Sequence, residues 1–314
     1  MTEIFNENLT NPEYKFDNTT YSMLSDEQLN LDENLARLVR EAPLPYGGEK
    51  SLERPKNSLP DDILLSTTPV RSQGKLGACV GFCIVSAMET RIKRNNLLYS
   101  DLSELWSYHT AKLKDPFKGE GYSGSTTIGG ILAANAYGVC EERFKPYKHE
   151  EFSRATQGQA KNAFQCKIGK YEVLDLNALQ LATALSMGYP VACTIKMFSG
   201  FQNKHLERGT VKYYGRRLRG AHALTCIGYR NTLDRTGTEF IFKNSWGTNY
   251  GDSGYVYIPQ DILFNVLKVA VAIISIDFSG KPEEVAYPLK GTPYNPVKKL
   301  TVWSRIKRFF RRMF

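Results

Sequence analysis

The chain of 314 residues is 42% apolar and 23% charged, with a formal net charge of +9. This globular composition excludes a disordered polymer, and the length allows one large domain or two modest ones. No apolar run approaches the length needed to cross a bilayer, and the polar, acidic N-terminus predicts no cleaved signal peptide.

Residues 1–58 have the character of an N-terminal extension. Apolar residues at positions 31, 35, 38 and 39 predict a short amphipathic helix over 30–40. The prolines and glycines between positions 43 and 55 are typical of a linker. We favour a helix that packs on the main domain over one that forms an independent module.

The pattern from residue 59 onward divides into two halves. Residues 59–165 are predicted to be mostly helical, with a buried helix over 80–92, a helix near 103–106, and one over 128–137 ended by Gly138. Residues 166–280 are predicted to be strand-rich, with one helix near 176–187. The predicted strands cover 171–174, 191–195, 223–229, 239–242, 255–258 and 269–276. This order predicts an α+β fold of two lobes, with any active site in the cleft between them.

Cys79 is the strongest candidate for a reactive residue. Residues 73–82 read QGKLGACVGF, which places this thiol between a glycine-rich turn and a long apolar helix. The unpaired N–H groups and the dipole at a helix N-terminus favour the thiolate, which is the nucleophilic form of cysteine. We therefore expect Cys79 to be a nucleophile and look for its base elsewhere in the chain.

His222 and Asn244 are the candidate partners. The chain has four histidines, and His222 begins an apolar predicted strand, where a polar ring costs desolvation unless it has a partner. By itself it would be interpreted as a structural histidine. However, Asn244 ends another apolar strand in the segment FKNSWG, so it can accept a hydrogen bond from one imidazole nitrogen. Trp246 can cover that bond and exclude water.

The six cysteines favour free thiols over disulfides or a metal site. Their spacing is wide and irregular, and a chain of this length needs no disulfides to fold. Cys79 and Cys83 would share a helix face, but no second Cys/His pair has ligand spacing. We expect an intracellular, cytoplasmic protein that uses neither metal nor cofactor.

The segments around Cys79, His222 and Asn244, in this order, resemble those of the papain-like (C1) cysteine peptidases, and the resemblance covers about residues 59–275. His222 lies 143 positions after Cys79, a separation typical of that family. The resemblance implies a helical left lobe, a β-barrel-like right lobe and a peptidase domain over 59–280. It implies that Cys79 is the nucleophile, His222 the base and Asn244 the residue that orients the base. Gln73 matches the glutamine of the oxyanion hole.

The resemblance also suggests where substrate lies and how this chain differs. It places Gly77, Gly124, Ser125, Ala221 and Trp246 along the substrate, with Ser125 standing where the family has a second glycine. At position 76, leucine replaces a cysteine that forms a disulfide in many members, which agrees with an intracellular location. Residue 80 is valine where an aromatic residue is usual. The turn is closer to the bacterial and viral branch than to lysosomal members.

The two termini suggest regulation and partners. Residues 1–58 occupy the position of an inhibitory propeptide, which makes inhibition a hypothesis. The C-terminal region, 281–314, ends in a basic segment, Trp303–Phe314, with apolar residues at 303, 306, 310 and 313. This pattern predicts a short helix that binds an anionic membrane surface or an acidic partner, or packs on the protein itself. Nucleic acid is a less favoured partner, since no recognition motif accompanies the charge.

The predicted function is hydrolysis of peptide bonds in a peptide or protein substrate through a thioester acyl-enzyme. Two alternatives remain open at this stage. The same site could transfer the acyl group to an amine, as a peptide ligase does. Alternatively, the chain could be a catalytically quiet scaffold for binding or assembly, although all four chemical groups of the site are present.

Overall fold

The structure is a computed structural model of the full chain. The residues it describes are 15–16, 19–20, 25–41, 59–95, 101–114, 124–148, 155–231 and 237–278. The predicted linker between positions 43 and 55 and the predicted basic helix Trp303–Phe314 lie outside these residues.

The described part of the chain contains a helical first half, as expected. The helices are α1 (Asp26–Glu41), α2 (Cys79–Arg94), α3 (Glu104–Lys114), α4 (Thr127–Tyr137), α5 (Gln157–Ala163), α6 (Ala178–Ser186) and α7 (Gln260–Val266). Short 3₁₀ turns occur at Glu142–Phe144, Ser199–Phe201 and Asn203–His205. None of the described helices is both long and apolar enough to span a bilayer. Helices α5 and α7 were not predicted, because both are only seven residues long.

The second half supplies most of the strands. They are β1 (Lys15–Phe16), β2 (Thr19–Thr20), β3 (Ile63–Leu64), β4 (Lys167–Ile168), β5 (Tyr171–Val173), β6 (Val191–Phe198), β7 (Leu206–Glu207), β8 (Thr210–Val211), β9 (Arg217–Asn231), β10 (Thr238–Lys243), β11 (Tyr255–Pro259), β12 (Leu267–Ile273) and β13 (Ile276–Asp277). Strand β9 is much longer than the predicted 223–229. Its added N-terminal part alternates exposed and buried residues, so it lacks the continuous apolar run by which 223–229 was predicted.

The strands build one large sheet, in the order β5-β12-β6-β9-β10-β11-β8-β7, with β3 added beside β9. Its pairs are antiparallel except β11 with β8. The predicted lobe was barrel-like, but this path is open, since β5 and β7 lie at its two ends and do not pair within the described sheet. The two-stranded pairs β1–β2 and β4–β13 stand apart from it.

Helix α2 joins the two halves. It is buried along nearly its whole length and packs on α3 and α4 on one side and on β9 on the other. The Cys83 thiol donates to the Leu224 carbonyl oxygen at 3.2 Å, and the Thr225 hydroxyl donates to the Cys83 carbonyl oxygen at 3.0 Å. These bonds hold the helix to the strand across more than 140 residues of sequence.

Helix α1 packs on the main domain rather than standing apart. It lies against α4 and against strands β5, β9 and β12. Its apolar face is buried in the same core as α2, through Leu29, Leu31, Leu35, Ala36 and Val39. The helix begins earlier than predicted because Ser25 and Gln28 form a reciprocal cap. The Ser25 N–H donates to the Gln28 side chain at 2.8 Å, and the Gln28 N–H to the Ser25 hydroxyl at 3.2 Å.

Gly138 offers a test of the packing between the end of α4 and the end of α5. It ends α4 with φ +73°, as the sequence predicted, and an added Cβ would lie 1.9 Å from the Ala163 carbonyl oxygen. We expect Gly138→Ala to lower the free energy of unfolding by at least about 1–3 kcal/mol, through backbone strain and that clash. Chemical denaturation measures the change.

The control is Gly158→Ala in α5. Its Cβ would meet only the Thr156 hydroxyl oxygen, at 3.9 Å. Alanine is the better helix former, so this variant should unfold at the wild-type midpoint or slightly above it. Equal stability of both variants would contradict the strain at Gly138.

Candidate active site

Cys79 is the first residue of α2, with Ala78 as its N-cap, and it is fully buried. The backbone N–H groups of Ala223, Val80 and Cys79 lower the pKa of the thiol, as a helix start should. Burial outweighs them and raises that pKa to about 11. The thiolate that the sequence led us to expect is therefore disfavoured in this buried site, because desolvation penalises the charged form.

His222 and Asn244 meet as expected. The Nε2 atom of His222 lies 2.7 Å from Oδ1 of Asn244, and that same oxygen accepts the Ser245 N–H at 2.8 Å. An oxygen that already accepts from the backbone must also accept from the ring, so Nε2 carries the proton and Nδ1 is the basic nitrogen. Among the described residues Nδ1 has no hydrogen-bond partner. Burial lowers the pKa of His222 to about 4, while the hydrogen bond that it donates to Asn244 raises it.

Trp246 covers the imidazole. Its ring centroid lies 4.5 Å from that of His222, with the planes tilted by 33°. Phe201 and Tyr250 meet the indole edge to face, at 5.5 and 4.8 Å. This aromatic cluster closes the His222–Asn244 bond off from water, which strengthens it.

Gln73 is fully buried, and both ends of its side-chain amide form hydrogen bonds. Its Nε2 donates to the Leu76 carbonyl oxygen at 2.9 Å, and its Oε1 accepts the Ser245 hydroxyl at 2.6 Å. The Gln73 N–H also donates to the Ser245 carbonyl oxygen at 2.8 Å. Ser245 was not singled out from the sequence, although it stands between Asn244 and Trp246. It ties the glutamine to the strand that carries the asparagine.

The residues predicted to line the substrate are all buried here. Gly124 has φ +83°, and its carbonyl oxygen accepts the Lys112 ammonium group at 3.0 Å, a contact the sequence did not suggest. Ser125 is fully buried beside it, and Ala221 precedes His222 on β9. Gly77 is buried in the turn before Cys79.

Strand β9 brings the two key residues together. The Cys79 thiol is close enough to the Ala223 backbone to receive its hydrogen bond, and Ala223 directly follows His222. The six cysteines are all free buried thiols, and Leu76 stands in an apolar cluster with Phe82 and Tyr108. No Cys79–His222 hydrogen bond is formed, which is common before substrate binds.

Asp32 of α1 also reaches this region, and the sequence did not point to it. The side chain is fully buried. Its carboxylate accepts the N–H groups of Thr127 and Ile128 at 2.9 and 2.8 Å and the Thr194 hydroxyl at 2.9 Å. Its charge also raises the pKa of the Cys79 thiol. An acid on the buried face of an otherwise apolar helical stripe was the signal that could have revealed it.

Comparison with known proteins decides the family. Residues 62–273 match the family model described as papain family cysteine protease. The chain belongs to this family. Its overall structure resembles that of xylellain, a cysteine protease from Xylella fastidiosa, with a TM-score of 0.64 and 22% identity, over 83% of this chain and 98% of that one.

Curated relatives of the papain family are moderately similar in sequence. An uncharacterized peptidase C1-like protein of Acanthamoeba polyphaga mimivirus is 28% identical over 201 residues, which is 60% of this chain and 63% of that protein. Ananain from Ananas comosus is 28% identical over 202 residues, 63% of this chain and 54% of that protein. The chain thus spans 54–63% of the length of these relatives. Viral and bacterial proteins are both among the similar chains, as the turn sequence predicted.

The pKa of the Cys79 thiol predicts how its alkylation rate depends on pH. A thiol whose pKa is about 11 is neutral at pH 7, and only the thiolate is alkylated. The alkylation rate of Cys79 by iodoacetamide in the full chain should rise roughly tenfold per pH unit from pH 7 to 9. Peptide mapping by mass spectrometry measures it, with Cys79→Ser as the control. A rate that is already constant between pH 5 and 8 would indicate a thiolate–imidazolium pair and contradict this prediction.

Proposed function

We propose that this papain family member hydrolyses peptide bonds with Cys79 as nucleophile, His222 as base, Asn244 as its orienting residue and Gln73 in the oxyanion hole. The observation that carries the proposal is the buried His222–Asn244 bond, covered by Trp246 and placed beside a thiol at a helix start. That bond selects one tautomer, so Nδ1 is the nitrogen free to take a proton.

The reaction follows from this arrangement. The Nδ1 atom of His222 takes the thiol proton, and the sulfur of Cys79 attacks the substrate carbonyl carbon. The Gln73 side-chain amide and the Cys79 N–H stabilise the resulting oxyanion. The C–N bond breaks as the imidazolium gives its proton to the leaving amine, which leaves a thioester. Water, deprotonated by the same imidazole, then attacks the thioester, and the thiol is restored as the acid leaves.

We propose further that α1 keeps the enzyme latent. The helix packs against α4 and strands β5, β9 and β12, and Cys79 lies in the same buried core cluster as its apolar face. At the start of α1, Asp26 accepts the Gly220 N–H at 3.2 Å, two residues before His222 on β9. A substrate must lie against the same strand, so helix and substrate exclude each other. Desolvation also holds the Cys79 thiol and the His222 ring neutral.

A full chain with an engineered protease site between residues 42 and 58 tests the function and the latency together. Before cutting, an epoxysuccinyl inhibitor should label Cys79 slowly. After cutting and removal of the N-terminal fragment, labelling at Cys79 and peptide hydrolysis should rise at least tenfold. Both should disappear in Cys79→Ala and in His222→Ala.

The other outcomes of this experiment distinguish the absence of latency, a quiet scaffold and an acyl transferase. Equal labelling and turnover before and after cutting would refute latency and leave the peptidase. A cut chain that is folded by circular dichroism but neither labelled nor active would favour the quiet scaffold. A product joined to an added amine, in place of the free acid, would identify the acyl transferase.

The oxyanion hole gives a graded prediction. In the cut enzyme, Gln73→Ala should lower kcat by roughly 10²–10³ with little change in KM, because its amide acts on the charge that develops in the transition state. Ser245→Ala should have a smaller effect in the same direction, since Ser245 only positions Gln73. Steady-state kinetics on a fluorogenic peptide measure both. Unchanged kcat in Gln73→Ala would remove this residue from the oxyanion hole.

A further inference from the structure

A pocket for a carboxylate lies next to the proposed catalytic residues, and Asp32 of α1 occupies it. Three donors from two elements converge on this side chain. At the start of α4 the Ile128 N–H donates to Oδ1 at 2.8 Å and the Thr127 N–H to Oδ2 at 2.9 Å. From strand β6, the Thr194 hydroxyl donates to Oδ2 at 2.9 Å. The Thr127 hydroxyl lies 2.6 Å from that of Thr194, so it supports the same cluster.

The pocket is not simply the cap of α4. That helix already has its own cap, because the Thr126 side chain accepts the Gly129 N–H at 3.0 Å. The N–H groups of Thr127 and Ile128 remain for an outside acceptor, and the positive end of the helix dipole favours an anion there. The bound carboxylate comes from a helix almost 100 residues earlier in the chain. It is an occupant of the site rather than part of its wall.

The walls of the pocket adjoin the proposed catalytic base on one side and a predicted substrate-binding residue on the other. On β6, Thr194 pairs with Ala223, and the next residue, Ile195, pairs with His222. On the other side, Thr127 follows Ser125 by two positions. The carboxylate itself acts electrostatically on the Cys79 thiol. A substrate bound across Cys79 would therefore bring a side chain to this pocket once α1 has left.

We propose that this pocket selects substrates with an acidic side chain, and that Asp32 fills it in the latent state as an internal mimic of that side chain. This inference rests on the proposed peptidase function and deepens it. The departure of α1 leaves two buried N–H groups and the Thr194 hydroxyl without their acceptor. A carboxylate from the substrate restores all three hydrogen bonds.

The geometry favours an acid over its amide or an apolar side chain. Both carboxylate oxygens accept from N–H groups, so an asparagine or glutamine would turn its NH₂ group toward one of these donors and lose that bond. An apolar side chain would leave all three donors buried and unsatisfied, which is costly. Burial raises the pKa of Asp32 to about 6 and its hydrogen bonds lower it, so a carboxylate in this pocket is still ionised at pH 7.5 and its hydrogen bonds are charge-assisted.

The experiment measures binding and turnover separately. The cut chain with its N-terminal fragment removed is used in two forms, the wild-type site for turnover and Cys79→Ala for binding. The probes are pairs of fluorescent peptides that differ only as Asp against Asn, or Glu against Gln, at each of the three positions before the scissile bond. At pH 7.5 one acidic peptide should bind Cys79→Ala roughly tenfold to a hundredfold more tightly than its amide. The same pair should differ similarly in kcat/KM.

Variants of Thr194 test whether the preference for an acidic side chain arises in this pocket. In the Cys79→Ala background, Thr194→Val should reduce the acid-to-amide ratio several-fold, and Thr194→Ser, which keeps the hydroxyl, should restore it. In the uncut full chain, Asp32→Asn should speed the labelling of Cys79, because the latent contact is weakened. The control Glu27→Gln, which removes an exposed acid on the same helix, should leave the labelling rate unchanged.

The outcomes separate this inference from the function on which it rests. Equal binding of acid and amide at all three positions overturns the acidic pocket, whether or not the enzyme cleaves peptides. A clear acid preference in binding without any turnover supports the pocket and refutes the peptidase. A fragment that cannot be removed without unfolding the remaining chain overturns the proposal, because the pocket would then never be open to substrate.

Discussion

The contact between the start of helix α2 and strand β9 is the constraint on which the rest of the molecule depends. Cys83 and Thr225 exchange hydrogen bonds with the opposite backbone, and the Cys79 thiol lies against Ala223. Because this contact joins the helical half to the sheet, it sets both the junction of the two halves and the position of the candidate nucleophile. A shift of one residue in β9 would turn His222 to the other face of the sheet and separate base from thiol.

Burial has two opposite consequences in this site. It strengthens the His222–Asn244 bond beneath Trp246, which prepares the imidazole to accept a proton. It also penalises charge, so burial raises the pKa of the Cys79 thiol and lowers that of the His222 ring, and both groups are neutral. The same apolar surroundings thus stabilise the His222–Asn244 hydrogen bond and disfavour a thiolate–imidazolium pair. In the latency that we propose, departure of α1 would admit solvent and substrate together.

Much of this could be predicted from local pattern. The helix at Cys79, the helix end at Gly138 and the strands at 191–195 and 239–242 have strong apolar signals and glycine punctuation, and the structure contains them. The segments around Cys79, His222 and Asn244 predict the family, and the match to the papain family model confirms it. Local pattern did not predict the short helices α5 and α7, the polar start of β9 or the open sheet. Their boundaries depend on pairing partners and caps rather than on periodicity.

The sequence by itself determined the family and the candidate residues Cys79, His222 and Asn244, because a thiol at a helix start and polar side chains at the ends of apolar strands are local patterns. It could not determine the state of the candidate site. Whether the thiol is charged, whether α1 lies in the cleft and what holds Gln73 depend on contacts across the fold. Ser245 and Asp32 gained their roles only through those contacts. Desolvation and hydrogen-bond partners are properties of the folded neighbourhood, so only the tertiary structure decided them.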